Sequence, residues 1–592
     1  MKLSDYVISE IKKLGIGHIF YLPGGGAMHL NDSLGHTEGI IPVIMLHEQA
    51  CAIAAEAYAR ITGNYGVCIV TSGPGATNTI TGLAGAWLDG TPVIFISGQV
   101  KRADLVKEQG IRQFGIQEIN IIDIVKPITK YAVQIENPED IAFEFSKAVT
   151  LAKSGKPGPV WIDIPLDIQG AQIDETKMLS YQQEISFYEC PDQDIEKTIQ
   201  LFNQAKRPLC ILGHGIRIGK AILEMRELID YMQVPVMTTW NGIDLIEDDY
   251  PLFYGRPGAV GHRHANFIQQ NADFVLTIGT RLNMLSTGYN FDSFLKNANH
   301  VMVEIDEHEM NKKSLHPVLK IHADARSFLL KMLARKKELH IEKREEWLSY
   351  CNKIRNKYPL FIPEQIPDGE GINTYTFVER LSKKMHSNDI FQFTSSGTAA
   401  DISMYTLKIK KGQRAFLTKG LASMGFDLPA CIGSCLASGK RRTICVTGDG
   451  GFMMNVQELA TLKNLNLPIK IFILDNNGYG MIYSSQQGNF ERLTGCTPAS
   501  GLFLPDVSAI AKAFGLVSEK IDDLKDLDSK IDFVLGTNNP VICSVKVCIG
   551  QKITPRQTNY MRSDGQMASR ALEDMSPLLD RAEFEENMLR SF

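Results

Sequence analysis

Residues 443–480 constrain the fold most, because they predict a strand, a helix and a second strand in direct succession. Residues 443–447 form a short β-branched run that is typical of a buried strand. Residues 448–451, Gly-Asp-Gly-Gly, predict a tight turn, and residues 455–464 have the apolar spacing of a helix. Residues 469–474 predict a second buried strand. A βαβ unit of this kind belongs to an open parallel sheet, which binds ligands at the carboxyl ends of its strands.

Polar residues follow both of these strands, at the edge where such a sheet binds ligands. The glycines of the 448–451 turn would let backbone N–H groups approach a phosphate at a helix N-terminus. A diphosphate there needs a hard cation, and Mg²⁺ takes oxygen ligands. Asp449 supplies a carboxylate, Asn476 an amide oxygen and Gly478 a main-chain carbonyl. A lone Gly-Asp-Gly would favour a plain Rossmann-like turn, but the Asp-Asn-Asn-Gly run at the next strand end indicates a metal-bound diphosphate.

This pair of motifs resembles the signature of thiamine diphosphate enzymes. Residues 417–439, LTKGLASMGFDLPACIGSCLASG, and residues 448–481 are together similar to the C-terminal catalytic domain of the acetolactate synthase family. The likeness extends over about residues 1–550. It implies a cofactor pair of thiamine diphosphate and Mg²⁺.

The predicted fold is α/β, with three doubly wound parallel-sheet domains of the thiamine diphosphate enzyme type. Repeated alternation of strand and helix patterns supports this architecture. The resemblance implies a pyrimidine-binding domain at residues 1–172, a central domain at 190–335 and a diphosphate-binding domain at 373–550. The polar tail, residues 551–592, could be a lid over the active site or an arm that contacts another subunit.

Glu48 is the principal catalytic candidate. It lies at the start of a helix of small residues, His-Glu-Gln-Ala, where an acidic side chain can simply be favoured by the helix dipole. The resemblance instead identifies it with the family's catalytic glutamate. That carboxyl hydrogen-bonds a ring nitrogen of the aminopyrimidine and drives the tautomer that removes a proton from the thiazolium carbon.

The resemblance assigns further residues of the first domain to the site. The Pro-Gly-Gly turn and the Phe-Gly-Ile-Gln-Glu segment lie near the reacting centre in the family, and the Ser-Gly-Pro-Gly-Ala-Thr-Asn loop lies beside the pyrimidine. The catalytic candidates are Gly25, Gly26 and Gln117, and the cofactor-binding candidates are Pro74 and Asn78.

In the third domain, the resemblance assigns a carbonyl at Ala422 to the cofactor's 4′-amino group. It assigns Met424 to a wedge between the two rings, although a methionine on residue type alone favours core packing. Small residues near 396 suit a diphosphate because their N–H groups are free. The remaining cofactor-binding candidates are Ser396, Gly397, Thr398, Gly448, Gly450, Gly451, Tyr479, Gly480 and Met481.

FAD in the central domain stays open. Acetolactate synthases often hold an FAD there that takes no redox part, and residues 279–281 and 287–288 match that family pattern. However, Lys156 stands where the family has an arginine, and lysine cannot offer the same planar fork to a phosphate. Residues 213–219 also lack the G-x-G-x-x-G dinucleotide fingerprint.

Two departures from the family concern the acceptor substrate. Leu285 stands where true acetolactate synthases have an arginine that binds the acceptor's carboxylate, and Ser485 stands where they have a tryptophan. Arg256, His262 or Arg263 could replace the missing cation. The predicted activity is decarboxylation of a 2-oxo acid, pyruvate, and addition of the two-carbon unit to a carbonyl acceptor.

Several alternatives remain beside that activity. The acceptor could be a larger carbonyl compound such as a keto-sugar nucleotide, or the enzyme could only decarboxylate or oxidise the 2-oxo acid. A non-catalytic regulatory protein is disfavoured, because it would have no need for Glu48. In the family the cofactor lies between two subunits, which implies a homodimer or homotetramer.

Composition excludes other classes of protein. A net charge of −5 argues against a nucleic-acid partner. No apolar run reaches the ~20 residues of a membrane span, so no membrane partner is expected. The eleven cysteines lack metal or redox spacing, which favours a cytoplasmic location.

Overall fold

The computed structural model describes residues 1–106, 110–182, 188–341, 344–360, 371–395 and 397–589. Backbone contacts divide the chain into two compact units. Unit 1 contains residues 1–186, 388–400 and 417–549, and unit 2 contains residues 187–387, 401–416 and 550–592.

Unit 1 contains two parallel sheets. The N-terminal sheet has six parallel strands in the order β2-β1-β3-β4-β6-β5. Its strands are β1 His18–Tyr21, β2 Ile41–Ile44, β3 Gly66–Val70, β4 Val93–Gln99, β5 Tyr131–Gln134 and β6 Val160–Pro165. Its helices are α1 Leu3–Lys13, α2 Met28–His36, α3 Glu48–Thr62, α4 Pro74–Thr77, α5 Ile80–Asp89, α6 Ile121–Val125, α7 Ile141–Lys153 and α8 Leu166–Gln169.

Unit 2 contains the central parallel sheet, in the order β11-β10-β9-β7-β8. Its strands are β7 Pro208–Leu212, β8 Val236–Thr238, β9 Phe274–Ile278, β10 Asn299–Glu304 and β11 Leu319–His322. The helices in this part of unit 2 are α9 Asp192–Gln204, α10 Gly215–Ile218, α11 Ile222–Met232, α12 Arg263–Asn271, α13 Met284–Thr287, α14 Glu307–Met310, α15 Ala325–Ala334, α16 Glu345–Lys357 and α17 Thr374–Lys384.

The C-terminal sheet of unit 1 contains parallel strands in the order β12-β14-β15-β17-β16. Strands in this part of the chain are β12 Ile390–Phe393, β13 Arg414–Phe416, β14 Thr443–Gly448, β15 Ile469–Asp475, β16 Val517–Ile521 and β17 Val541–Lys546; β13 belongs to unit 2. The helices are α18 Gly397–Thr406, α19 Asp427–Ala437, α20 Asp449–Met453, α21 Leu459–Leu465, α22 Gly480–Asn489, α23 Val507–Ala513 and α24 Leu527–Gly536. Three parallel-sheet domains are therefore confirmed.

The predicted tight turn at residues 448–451 is wrong in detail. Gly448 is extended, with φ −88° and ψ 155°, and α20 begins directly at Asp449. The predicted helix at residues 455–464 is also broken, because a 3₁₀ turn at Val456–Glu458 precedes α21. The βαβ unit remains, but the residue after β14 already lies at a helix N-terminus.

Helix α3 joins the two sheets of unit 1 into one core. It packs against α19, and close backbone approach requires glycine at three positions around it. A Cβ at Gly433 of α19 would lie 2.1 Å from the carbonyl oxygen of Ala54. One at Gly66 would lie 2.0 Å from the carbonyl oxygen of Ala55, and one at Gly82 would lie 2.5 Å from Cβ of Ala52 on the same helix. Alanine-rich α3 is therefore held between small residues on several sides.

The C-terminal tail is part of unit 2 and covers α12. It contains an antiparallel hairpin, β18 Asn559–Met561 and β19 Met567–Ser569, and a helix, α25 Arg581–Asn587. Asn266 of α12 donates to the Leu572 carbonyl at 2.9 Å. Arg263 donates to the Pro577 carbonyl at 2.6 Å. The lid or subunit-contact role of the tail stays a prediction. Among the described residues, no helix is long and apolar enough to cross a membrane.

Candidate functional site

The three predicted metal ligands come together at the carboxyl edge of the C-terminal sheet, where β14 and β15 are neighbours. The Gly478 N–H lies between the other two residues, 3.2 Å from Oδ2 of Asp449 and 3.1 Å from Oδ1 of Asn476. The Gly450 N–H donates to Oδ1 of Asp449 at 2.7 Å. Burial raises the pKa of Asp449 to about 6. A buried carboxylate beside an amide oxygen is a donor set that suits Mg²⁺, so these residues fit the ion.

Two of the predicted glycines, Gly450 and Gly478, are required by their surroundings, and a third, Gly480, is closely packed. A Cβ at Gly450 would lie 2.2 Å from Cε1 of Tyr479. One at Gly478 would lie 2.4 Å from the Cys496 carbonyl oxygen, and one at Gly480 would lie 3.1 Å from Nδ2 of Asn476. Gly448 meets nothing within 4 Å, and its edge of the site is open. The glycines therefore let the Asp449 helix and the loop after β15 approach each other closely.

The start of α18 lies beside the same loop. A Cβ at Gly397 would meet Cγ of Met481 at 3.6 Å, and one at Gly480 would meet Oγ1 of Thr398 at 3.6 Å. These predicted cofactor residues are thus brought together. Ser396 lies outside the described residues. Gly451 faces a buried polar group, since its Cβ would lie 3.7 Å from Oδ2 of Asp427.

The loop with Ala422 and Met424 has a strained backbone. Ala422 has φ 58°, a left-handed conformation that is unusual for alanine and that clusters at functional sites. Both side chains are half-buried, so Met424 is not a fully buried core residue. Asn455 anchors the loop by donating from Nδ2 to the Gly425 carbonyl at 2.7 Å.

Glu48 is the first residue of α3. His47 caps the helix, because its Nδ1 accepts from the Gln49 N–H at 3.0 Å. The Asn78 side-chain amide donates to Oε2 of Glu48 at 3.0 Å. The other carboxyl oxygen points toward Gly75, whose Cβ would lie 3.8 Å away. Two predicted site residues, Glu48 and Asn78, are therefore in direct contact.

Gln117 lies against the loop that precedes α4. A Cβ at Gly73 would lie 2.7 Å from the Gln117 carbonyl oxygen, and Pro74 follows as the first residue of α4. Gln117 itself has φ 63°. Glu118 holds this segment, because its carboxylate accepts from the N–H groups of Val106, Phe114 and Gly115. Sequence reasoning missed Glu118 as a functional support, although it is the next residue of the same motif.

Thr71 organises the turn that contains Gly25 and Gly26. Its Oγ1 accepts from the Gly26 N–H at 3.0 Å, and its Cβ would be 2.5 Å from a Cβ at Gly24. Gly25 meets nothing within 4 Å. Gly25 therefore faces open space, while its neighbours are fixed by the end of β3.

Two further acidic residues support the site and were missed from the sequence. Asp427 is buried and accepts hydrogen bonds from Thr394 and Thr447, which lie at the ends of β12 and β14. Glu458 is fully buried and accepts from the Leu46 N–H at 3.0 Å. Their signal in the sequence is weak, since each is an isolated acid beside apolar residues.

The central sheet has its own candidate ligand edge in unit 2. Its strand order reverses between β7 and β9, the place where open α/β sheets bind ligands. The loops that follow these strands touch through their backbones: the Gly215 N–H donates to the Gly279 carbonyl at 2.8 Å. A Cβ at Gly213 would lie 2.3 Å from that carbonyl oxygen. Gly213, Gly215 and Gly279, here called the glycine cradle, therefore bring the loops after β7 and β9 together, and Arg281 lies two residues beyond Gly279.

The cations proposed as substitutes near Leu285 are engaged elsewhere in unit 2. Arg256 is 1% exposed and forms an ion pair with Asp248. His262 lies 3.0 Å from the Tyr405 carbonyl oxygen, and burial lowers the pKa of its imidazole well below the usual value. Arg263 donates to carbonyls of the tail. None of these three side chains replaces the missing arginine in the structure as described.

Family models match each of the three domains. The model described as thiamine pyrophosphate enzyme, N-terminal TPP binding domain, matches residues 1–124. The central-domain model of the same enzymes matches residues 195–332, and the C-terminal TPP binding domain model matches residues 396–545.

Full-length relatives are similar over most of the chain. The acetolactate synthase isozyme 2 large subunit of Escherichia coli (strain K12) is 32% identical over 550 residues, which cover 92% of this chain and 96% of the relative. The acetolactate synthase large subunit of Cyanidium caldarium is 33% identical over 566 residues, covering 93% and 94%. A probable acetolactate synthase large subunit of Methanocaldococcus jannaschii is 31% identical over 561 residues, covering 92% of each chain.

Proposed function

The chain belongs to the acetolactate synthase family of thiamine diphosphate-dependent enzymes, and we propose that it transfers the two-carbon unit of pyruvate to a carbonyl acceptor other than a second pyruvate. It is a thiamine diphosphate-dependent, acetolactate synthase-like carboligase. When bound, thiamine diphosphate supplies a nucleophilic carbon and an electron sink for loss of CO₂.

The diphosphate end of the site would bind the cofactor and orient it. We assign Asp449, Asn476 and the Gly478 carbonyl to Mg²⁺, and the N–H groups at the start of α20 to a phosphate. The hydrogen bonds that converge on Asp449 support this assignment. Gly397 and Thr398 would contact the same diphosphate, because they lie against Gly480 and Met481.

The pyrimidine end of the site moves a proton. Glu48 would hydrogen-bond a ring nitrogen of the aminopyrimidine, and Asn78 holds its carboxyl in position. The Ala422 carbonyl would accept from the 4′-amino group, and Met424 would hold the two rings apart. The positive φ of Ala422 supports this role, because backbone strain at a non-glycine residue is typical of a functional site.

A second copy of the chain would complete each site, as a homodimer or homotetramer. Apolar side chains beside Glu48 and Gln117 support this: Ile44 is 52% exposed, Leu46 48%, Phe114 57% and Ile116 90%. Large exposed apolar side chains that are grouped on a surface are typical of interaction sites. Light scattering of the purified enzyme tests it, and a monomer at working concentration would contradict it.

FAD would lie at the glycine cradle between β7 and β9. Close contact of Gly213 and Gly215 with Gly279 supports a nucleotide at this edge. The absorbance spectrum of the purified enzyme between about 350 and 500 nm distinguishes a flavoprotein from a protein without flavin.

The acceptor proposal rests on Leu285, which stands where the family has an arginine that binds the acceptor's carboxylate. The cations that could replace that arginine, Arg256, His262 and Arg263, are bound to other groups. A carboxylate docked there would lose a charge-assisted hydrogen bond, which contributes roughly 1.5–3 kcal/mol. Since ~1.4 kcal/mol is a factor of ten, pyruvate as acceptor is disfavoured about 10- to 150-fold. Ser485, which is exposed on α22, would leave room for a bulkier acceptor.

The test compares kcat/KM for pyruvate self-condensation with kcat/KM for a panel of larger ketones and aldehydes, with products identified by mass spectrometry. We expect slow self-condensation and at least one acceptor that accelerates pyruvate consumption. In Leu285→Arg, self-condensation should rise, whereas in Leu285→Met it should not. Self-condensation that matches every other acceptor would overturn the proposal and leave an acetolactate synthase.

A further inference from the structure

A segment of four residues beyond the end of α20 connects three parts of unit 1. They are residues 455–458, and only Met454 separates them from the helix that begins at Asp449. Asn455 donates to the Gly425 carbonyl at 2.7 Å, next to Met424. Glu458 accepts from the Leu46 N–H at 3.0 Å, although 412 residues separate them in the chain. One short segment therefore contacts the loops of both Met424 and Glu48.

Glu458 is bound on both of its carboxyl oxygens. Oε1 accepts from the Leu46 N–H, and Oε2 accepts from Oγ1 of Thr461 at 2.8 Å. The side chain is 0% exposed, although the Leu46 side chain is 48% exposed. Burying a carboxyl is unfavourable unless its oxygens are hydrogen-bonded. Packing alone would therefore favour an apolar side chain at this position, and the hydrogen bonds of Glu458 are what distinguish it.

The contact lies directly before the catalytic helix. Leu46 precedes His47, the residue that caps α3, and Glu48 is the first residue of that helix. Further along the helix, α3 is fixed by α19, because Gly433 closely approaches Ala54. The contact from Glu458 fixes the backbone that precedes the helix. The connection between β2 and α3, which aims Glu48, is thus held by the Met45 N–H, which donates to the Tyr21 carbonyl at 3.1 Å, and by Glu458 through the Leu46 N–H.

We propose that Glu458 is a positioning residue for Glu48: it binds the backbone at Leu46 and so ties the first turn of α3 to the segment that begins at Asp449. This inference rests on the proposed role of Glu48. It further implies that the alignment of Glu48 depends on the C-terminal sheet of the same chain.

Two readouts on the full-length enzyme test the proposal. The first is hydrogen–deuterium exchange of the Leu46 amide, before and after loading with thiamine diphosphate and Mg²⁺. The second is the rate at which the thiazolium C2 proton of the bound cofactor exchanges with D₂O. In Glu458→Ala, Leu46 amide exchange should rise at least tenfold in both states, and C2 exchange should fall about 100-fold, the size that a 1 Å misplacement of a catalytic group can reach.

Conservative variants separate positioning from general destabilisation. Glu458→Gln keeps an oxygen for the Leu46 N–H and should retain C2 exchange within about tenfold of the wild type. Glu573→Gln is the matched control, because Glu573 is also buried and hydrogen-bonded, but to Gln270 in unit 2. It should leave both readouts unchanged.

The proposal is overturned if Glu458→Ala leaves either readout unchanged, if Glu458→Gln is as slow as Glu458→Ala, or if Glu573→Gln reproduces the effect. If Glu458→Ala does not fold, Thr461→Val replaces it, with a few-fold effect expected in the same directions and no effect overturning the proposal. Glu48→Gln runs in parallel: if it does not slow C2 exchange, the proposed role of Glu48 fails instead.

Discussion

The side-chain amide of Asn78 donates a 3.0 Å hydrogen bond to Oε2 of Glu48. Asn78 directly follows the short helix α4, and Glu48 opens α3, so the contact joins the ends of two different loops of the N-terminal sheet. Hydrogen bonds to a charged acceptor are stronger than those between neutral groups. The pair therefore fixes one carboxyl oxygen of Glu48 and leaves the other to the cofactor.

Removing the Asn78 amide should slow proton exchange without removing the catalytic carboxyl. In Asn78→Ala, we expect C2 exchange of bound thiamine diphosphate to fall about 10- to 150-fold, since a hydrogen bond to a charged group contributes roughly 1.5–3 kcal/mol. Asn78→Asp should be slower still, because it places a like charge beside Glu48. Thr77→Ala is the control. Equal rates in all three variants would remove Asn78 from the site.

Replacing Asp449 should impair cofactor binding rather than folding. In Asp449→Ala, we expect the Kd for thiamine diphosphate in the presence of Mg²⁺ to rise by more than about tenfold, because a charged metal ligand is lost. Isothermal titration with and without Mg²⁺ measures this. The exposed acid Asp506, replaced by asparagine, should bind as the wild type does. Unchanged Mg²⁺-dependent binding in Asp449→Ala would contradict the metal assignment.

A methyl group at Gly433 should separate α3 from α19. Its Cβ would lie 2.1 Å from the Ala54 carbonyl oxygen, which the backbone cannot accommodate without a shift. Overpacking of this kind typically destabilises by about 1–3 kcal/mol. Urea unfolding should therefore show a lower midpoint for Gly433→Ala. In Gly536→Ala, where nothing lies within 4 Å, stability should be unchanged or slightly higher. Equal midpoints would contradict the packing described.

Two buried histidines should make unit 2 sensitive to acid. Burial lowers the pKa of His264 to about 4 and that of His300 to about 3. In the unfolded chain both titrate near 6.5, so below that pH the unfolded state binds more protons and stability falls. Between pH 7 and pH 5, each should cost about 2 kcal/mol in the free energy of unfolding.

Unfolding free energies measured at the two pH values check this. His300→Gln should reduce the loss between pH 7 and pH 5, because glutamine does not titrate. His308→Gln should not, since the His308 side chain is 89% exposed. A loss of the same size in wild type and His300→Gln would show that His300 does not contribute.

The parts of the fold that depend on local signals could be predicted from the sequence. β14 and β15 are short apolar runs, and glycine or amide residues lie at or directly after the end of each, as at the strand ends of a parallel sheet. The prediction of a turn after β14 was wrong, because Gly448 is extended and the helix begins one residue later, at Asp449. Periodicity alone does not separate a turn from a helix N-terminus.

Long-range support could not be predicted. Glu458 and Leu46 meet across 412 residues, and nothing in either neighbourhood specifies the other. Helix α12 is another example: six of the nine residues in its sequence, RHANFIQQN, are polar and would be typical of a helix with an exposed face, yet all nine residues are buried. Its residues are buried because the tail supplies hydrogen-bond partners for Arg263, Asn266 and Gln270.

Proton exchange at C2 of bound thiamine diphosphate, compared between wild type and Glu48→Gln, tests the account most directly. The account predicts that Glu48→Gln folds and binds the cofactor and Mg²⁺, but exchanges this proton about 10²- to 10⁴-fold more slowly, the usual size of an acid–base contribution. An unchanged exchange rate in a folded, cofactor-loaded Glu48→Gln enzyme would contradict it.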